Sequence, residues 1–195
     1  MRVAILKYNA GNTTSVAEAV RRLGAEPEVT ESPESISTAD RVIIPGVGEA
    51  ATAMQYLRQR NLDRVIALLD RPVLGICLGM QLLFQFSAEG NVRCLGIFPH
   101  SVSLLPPDTG VKIPHIGWNR VALRPSPLFE GVGSDPFVYF AHSYAVRRCD
   151  NEIAHCDYAG GFAAAVANGN FFGVQFHPEK SGSIGSRIVE NFLRL

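Results

Sequence analysis

The sequence predicts an α/β fold of three layers, in which a central mixed, mostly parallel sheet is covered by helices on both faces. Three observations lead there. Short apolar runs rich in β-branched residues, RVAILK (2–7), RVIIP (41–45) and PVLGI (72–76), read as strands buried on both faces. Helical apolar spacing follows each of them, the alternation that builds a parallel sheet. Between Pro99 and Pro136 prolines become frequent and short β-like runs take over, which adds antiparallel strands in the second half.

In chain order, the strand at 2–7 leads into a turn over 9–12. Residues 13–23 then form a helix with Val16, Ala19, Val20 and Leu23 on one face, and Gly24 ends it. A short strand lies near 28–30 and another at 41–45. Helices follow over about 50–59 and 62–69, then the strand at 72–76, and a further helix begins over 80–86. SVSLL (101–105), NRVAL (119–123), FVYFAHSYAV (137–146), FAAAVA (162–167) and FFGVQF (171–176) read as more strands of the mixed sheet. Residues 183–195 close the chain as a helix with Ile184, Ile188, Val189 and Phe192 on one side. No linker divides residues 1–195, so one domain is expected.

Composition narrows the function. Of 195 residues 47% are hydrophobic, enough for one sizeable core. Eighteen Lys and Arg balance eighteen Asp and Glu, leaving no net field to draw in nucleic acid or an anionic membrane. No apolar run reaches the ~18 residues a membrane span needs, and the start MRVAILKYNAGN turns polar too soon for a signal peptide. Cys77, Cys94, Cys149 and Cys156 form no CxxC pair, which fits free thiols in a reducing cytoplasm. Neither a P-loop, a dinucleotide fingerprint nor metal-ligand spacing occurs, so no metal and no cofactor is expected.

The chemistry concentrates in three stretches. GICLG (75–79) places Cys77 between two glycines at a strand-to-helix junction, the form of a nucleophile elbow. The helix dipole there favours a thiolate, and the backbone N–H of Leu78 is a ready oxyanion donor. A buried structural cysteine is the plain alternative. In FFGVQFHPEK (171–180), His177 ends a buried strand and Glu179 lies two residues on, positioned to hold the imidazole in one tautomer. PGVGEA (45–50) closes the strand at 41–45, and Gly46 and Gly48 free its backbone to aim N–H groups at a substrate oxygen.

PGVG, GICLGMQLL and FHPEKS, in that order along the chain, together resemble the class I glutamine amidotransferases. KIPHIGWN (112–119), FVYFAHSYAV and GVQFHPEKSG (173–182) are similar, more narrowly, to the branch that serves as glutaminase subunit of imidazole glycerol phosphate synthase in histidine biosynthesis. The resemblance implies a flavodoxin-like three-layer fold. It implies Cys77 as nucleophile, His177 as base and then acid, and Glu179 as the orienting carboxylate. Backbone donors at Gly46, Val47 and Leu78 would meet the oxyanion. Gly48, Gln81, Glu89, His142, Ser143 and Tyr144 would hold L-glutamine, with Gln81 on its backbone, Glu89 on the α-ammonium and residues 142–144 on the α-carboxylate. The implied partner is a (β/α)₈-barrel cyclase subunit, joined as a heterodimer through Trp118, Asn119, Tyr139 and Lys180. Ammonia would pass through that barrel, and little glutamine would be consumed without it. A glutaminase feeding another synthase, such as pyridoxal phosphate synthase, stays open at this point. So do a partner-free γ-glutamyl hydrolase and a non-catalytic scaffold, although the intact triad residues argue against the scaffold.

Overall fold

The computed structural model describes residues 1–8, 12–107 and 110–195. Of the turn expected over 9–12, only Asn12 falls within the described residues. The first half alternates as expected: β1 (Arg2–Leu6), α1 (Thr13–Arg22), β2 (Glu26–Thr30), α2 (Pro33–Thr38), β3 (Arg41–Ile44), α3 (Ala50–Gln59), α4 (Leu62–Ala67), β4 (Val73–Ile76) and α5 (Leu78–Leu82). The second half carries β5 (Phe84–Ser87), β6 (Val92–Arg93), β7 (Phe98–Leu104), β8 (His115–Arg120), β9 (Ala122–Leu123), β10 (Phe137–His142), β11 (Tyr144–Val146), β12 (Glu152–Cys156), β13 (Phe162–Asn168), β14 (Phe171–Val174) and α6 (Gly182–Arg194).

An eight-stranded sheet runs in the order β2-β1-β3-β4-β14-β13-β12-β9. The run from β2 to β14 pairs in parallel, and β13, β12 and β9 join antiparallel. Alternate residues of the parallel strands serve opposite layers, as the two-residue period of a strand requires. Val3 and Ile5 of β1 share one core with Val16 and Val20 of α1 and with Ile188 and Phe192 of α6. Ala4 and Leu6 share the other with Ile36 of α2, Met54 and Leu57 of α3 and Ile66 of α4. Both faces are therefore apolar and covered, which explains why these strands read as unbroken apolar runs.

The structure corrects the reading in several places. The helix expected over 80–86 stops at Leu82, and Phe84–Ser87 is a strand instead. Leu82, Leu83 and Phe84 are all fully buried, so this apolar stretch suits either period, and β6 and β7 decide it by pairing with β5. Residues 137–146 are two strands broken at Ser143, and 119–123 breaks at Val121. The later strands do not all extend the central sheet. β8 and β10 form a separate ribbon, and β11-β7-β5-β6 forms a sheet of its own. The helix α2 and the strand β12 have no counterpart in the sequence reading. Among the described residues no helix is long and apolar enough to cross a membrane.

The topology also places the chemistry. Because β3, β4 and β14 are parallel neighbours, their carboxyl ends open on the same edge of the sheet, and the PGVG turn, Cys77 and His177 follow those ends.

Candidate active site

Cys77 sits between β4 and α5 with φ +52°, a left-handed backbone that costs energy in any residue with a Cβ. The flanking glycines let the chain turn this sharply. A Cβ on Gly79 would lie 1.9 Å from the Ile44 carbonyl oxygen, and one on Gly75 would lie 2.6 Å from the Gly79 oxygen. The first turn of α5 thus rests on bare backbone from β3 and β4. The PGVG turn uses the same device, since a Cβ on Gly46 would meet the Gly79 nitrogen at 2.4 Å. Gly46 is buried against α5, while Val47 and Gly48 (φ +133°) are exposed beside Cys77 and Leu78. Tyr8, buried under β3, donates its hydroxyl to the Pro45 carbonyl and so fixes the root of this turn.

His177 follows β14 and is 1% exposed. Its Nδ1 lies 2.9 Å from Glu179 Oε1, and Asn12 Nδ2 donates to the same oxygen. A carboxylate can only accept, so Nδ1 carries hydrogen and Nε2 faces the opposite way. Burial pushes the imidazole down, but Cys77 and Glu179 outweigh it and hold its pKa up at about 9. Neither Nε2 nor Glu179 Oε2 has a hydrogen-bond partner among the described residues. Cys77 is near enough to raise the proton affinity of His177. The turn Pro178–Lys180 is pinned from both sides: His177 N–H bonds the Tyr139 carbonyl, and Ser181 Oγ bonds the His177 carbonyl at 2.7 Å.

In front of the sulfur lies a cavity of about 320 Å³, lined on one side by Val47, Gly48, Leu78, Gln81 and Glu89 and on the other by His142, Ser143 and Tyr144. These eight and Cys77 are sequence-expected residues; Pro114, Ile116 and Ala141 also line the cavity and were not expected, while Gly46, His177 and Glu179 do not line it. Gln81 is buried, and its Nε2 donates to the Tyr144 carbonyl (2.8 Å) and to Gln175 Oε1 (3.1 Å). Its own oxygen is what remains to offer a ligand. Glu89 accepts from the Ala50 N–H at the start of α3, and burial raises its pKa. Leu105 N–H bonds the Ser143 carbonyl, a register that turns the N–H and C=O of Tyr144 away from β7. The carbonyl of Tyr144 is then taken by Gln81 and by His142 Nδ1, both at 2.8 Å.

The four expected interface residues lie apart from the cavity wall. Trp118 is 55% exposed and stands opposite Tyr139 across the β8–β10 ribbon, with ring centroids 6.1 Å apart. Lys180 Nζ lies 5.7 Å from the Tyr139 ring centroid. Asn119 turns inward toward His115.

Several contributors escaped the sequence reading. Gln175 is fully buried and donates to Cys77 Sγ at 3.6 Å, and the sulfur also lies 3.8 Å from the Ala141 carbonyl. A lone glutamine two residues before His177 in an apolar strand was the available signal, since period two puts both on one face. Asn12 and Tyr8 gave none. Among the described residues, no group of three His, Cys, Asp or Glu side chains could hold a metal ion.

Comparison with known proteins shows the family and the fold. The family model described as glutamine amidotransferase class-I matches residues 4–195. The chain is 52% identical over 196 residues to the imidazole glycerol phosphate synthase subunit HisH of Bacteroides fragilis, covering 100% of both. It is 44% identical to the subunit of that name from Haemophilus influenzae, covering 99% of this chain and 97% of the relative. A solved structure described as a glutamine amidotransferase superposes with TM-score 0.77 at 20% identity, covering 98% of this chain and 97% of the other, and so shares the fold. On the full-length family match and these identities, the chain belongs to the class I glutamine amidotransferases.

Proposed function

We propose that the chain is the glutaminase subunit of an imidazole glycerol phosphate synthase, working throughout residues 1–195 as one glutaminase domain. The observation that carries this is the strained thiol at one end of a cavity, backed by a histidine–carboxylate pair whose free nitrogen faces it. The full-length identity to subunits of that name supports the choice within the family.

The chemistry follows from the groups present. Glutamine enters the cavity with its α-carboxylate toward Ser143 and Tyr144 and its α-ammonium toward Glu89. His177, whose cation is favoured by Glu179 and the sulfur, holds the proton given up by the thiol, and the sulfur attacks the carboxamide carbon. Backbone N–H groups of Val47 and Leu78, with Gly46 shaping the turn, receive the oxyanion; one such donor is worth roughly 10²–10³ in rate. His177 returns the proton to the nitrogen as the C–N bond breaks, and ammonia leaves. The same histidine then deprotonates water, which cleaves the γ-glutamyl thioester to glutamate. Glu179 and Asn12 hold the imidazole for both transfers.

Ammonia is consumed by a (β/α)₈-barrel cyclase subunit, which makes imidazole glycerol phosphate and an aminoimidazole carboxamide ribonucleotide in the cytoplasm. Exposed Trp118 and Lys180, each against the half-buried ring of Tyr139, offer an aromatic and cationic surface for that heterodimer, with Asn119 at its margin. The test is Cys77→Ala in the reconstituted complex. Glutamine-dependent synthesis should vanish while synthesis from added ammonium salts persists. Glutamine use that survived the change would overturn the assignment.

A further inference from the structure

His115 has no place in the chemistry above, yet it is 3% exposed and its ring is packed between Tyr158 (centroids 3.8 Å apart) and Phe140 (4.6 Å). Its two nitrogens each meet a polar partner. Nδ1 lies 3.2 Å from His142 Nε2, and Nε2 lies 3.4 Å from Asn119 Nδ2. His142 in turn sets its Nδ1 2.8 Å from the Tyr144 carbonyl. Four groups thus stand in line, from a surface strand to the floor of the glutamine cavity.

The direction of every hydrogen in that line is fixed from both ends. A carbonyl only accepts, so His142 Nδ1 must carry hydrogen, and a neutral His142 must then accept at Nε2. His115 must therefore donate from Nδ1 and accept at Nε2, where Asn119 must offer its amide hydrogen. At the outer end, Arg120 N–H bonds Asn119 Oδ1 at 2.9 Å, which orients the carboxamide so that its nitrogen does face His115. Burial supports the neutral state at both rings, lowering His115 to about 4 and His142 to about 3.

We propose that His115 is a positioning residue for substrate binding: by donating to His142 it locks the tautomer that grips the Tyr144 carbonyl, and so sets the Tyr144 amide in the glutamine subsite. This rests on the glutaminase reading above and extends it to residues that touch neither the thiol nor the substrate. Without the donor, His142 keeps a buried, unpaired Nε2 and can exchange tautomers. The grip on Tyr144 then loosens, while the triad, held by β4 and β14, stays in place. The signature is a rise in KM for glutamine with kcat little changed.

Two variants of the full chain, each assayed in the complex, test it. His115→Phe keeps the stacked ring and removes the donor; His115→Asn restores an N–H near the position of Nδ1. His115→Phe should raise KM about tenfold or more, since a buried acceptor is left unpaired, and His115→Asn should recover most of it. In parallel, ¹⁵N NMR of His142 reads its tautomer without reference to turnover. The Nδ1–H form should dominate in the unaltered chain and in His115→Asn, and a mixture should appear in His115→Phe. A loss of kcat in place of KM, or losses in both variants that follow their thermal stability alone, would overturn the proposal. So would a His142 tautomer unchanged in His115→Phe. Unaltered protein that fails to hydrolyse glutamine would instead defeat the glutaminase reading and leave the tautomer result standing.

Discussion

Two buried histidine sites lie close enough to influence each other, and their environments pull proton affinity in opposite directions. At His177 the partners are a carboxylate and a thiol, so the cation is favoured strongly enough to overcome burial and the pKa stands at about 9. At His142 and His115 the partners are a carbonyl, an amide and each other, burial has no opponent of that strength, and the two fall to about 3 and 4. The hydrogen-bond accounts differ as well. His177 Nε2 and Glu179 Oε2 lack partners among the described residues, whereas each nitrogen of His115 and His142 has one. Buried polar groups are normally satisfied, and the two histidine sites differ in this respect as well as in charge.

Changing the partner at the first site should break the contrast most. Glu179→Gln keeps the shape and removes the charge. Turnover should fall about a hundredfold or more, and the His177 pKa should drop because one of the groups raising it is gone. Steady-state assays and an NMR titration of the same variant read the two effects together. A variant with unchanged turnover would deny Glu179 its orienting role.

A smaller effect separates the sites by pH. Free histidine titrates near 6.5. His115 and His142 are held below that value in the folded chain, so their contribution to stability is complete above about pH 6.5 and is lost as pH falls toward 4 and 3. Each costs about 1.4 kcal/mol per pH unit across that window. His177 is raised, so its contribution is present below about 6.5 and is lost as pH rises through about 9. Urea unfolding between pH 4.5 and 6.5 should show the acid slope, and His115→Phe should flatten it by about half. An unchanged slope would mean that the pair does not stay neutral in the fold.

The sequence showed the reactive ends of these sites more clearly than their supports. Cys77 and His177 could be read because strand ends, glycines and a proline mark them locally, and because parallel neighbours bring strand ends together. Their supports come from far along the chain. Asn12 reaches Glu179 across 167 positions, and Gln175 reaches Cys77 across 98. No local pattern encodes such pairs. The break at Ser143 was hidden for a related reason: ten residues of good strand formers carry no mark of which sheet each half will join, and β7 and β8 decide it. Where length and period left a choice, as in residues 80–86, tertiary pairing made it.

The central claim is that one imidazole is poised to exchange a proton with the thiol while the other two stay neutral as framework. A ¹H–¹⁵N NMR titration of the three histidines in the unaltered chain tests it most directly. The account predicts His177 titrating near 9, with His115 and His142 uncharged down to about pH 5. His177 titrating at or below about 6.5, or His142 gaining its proton near neutrality, would contradict it.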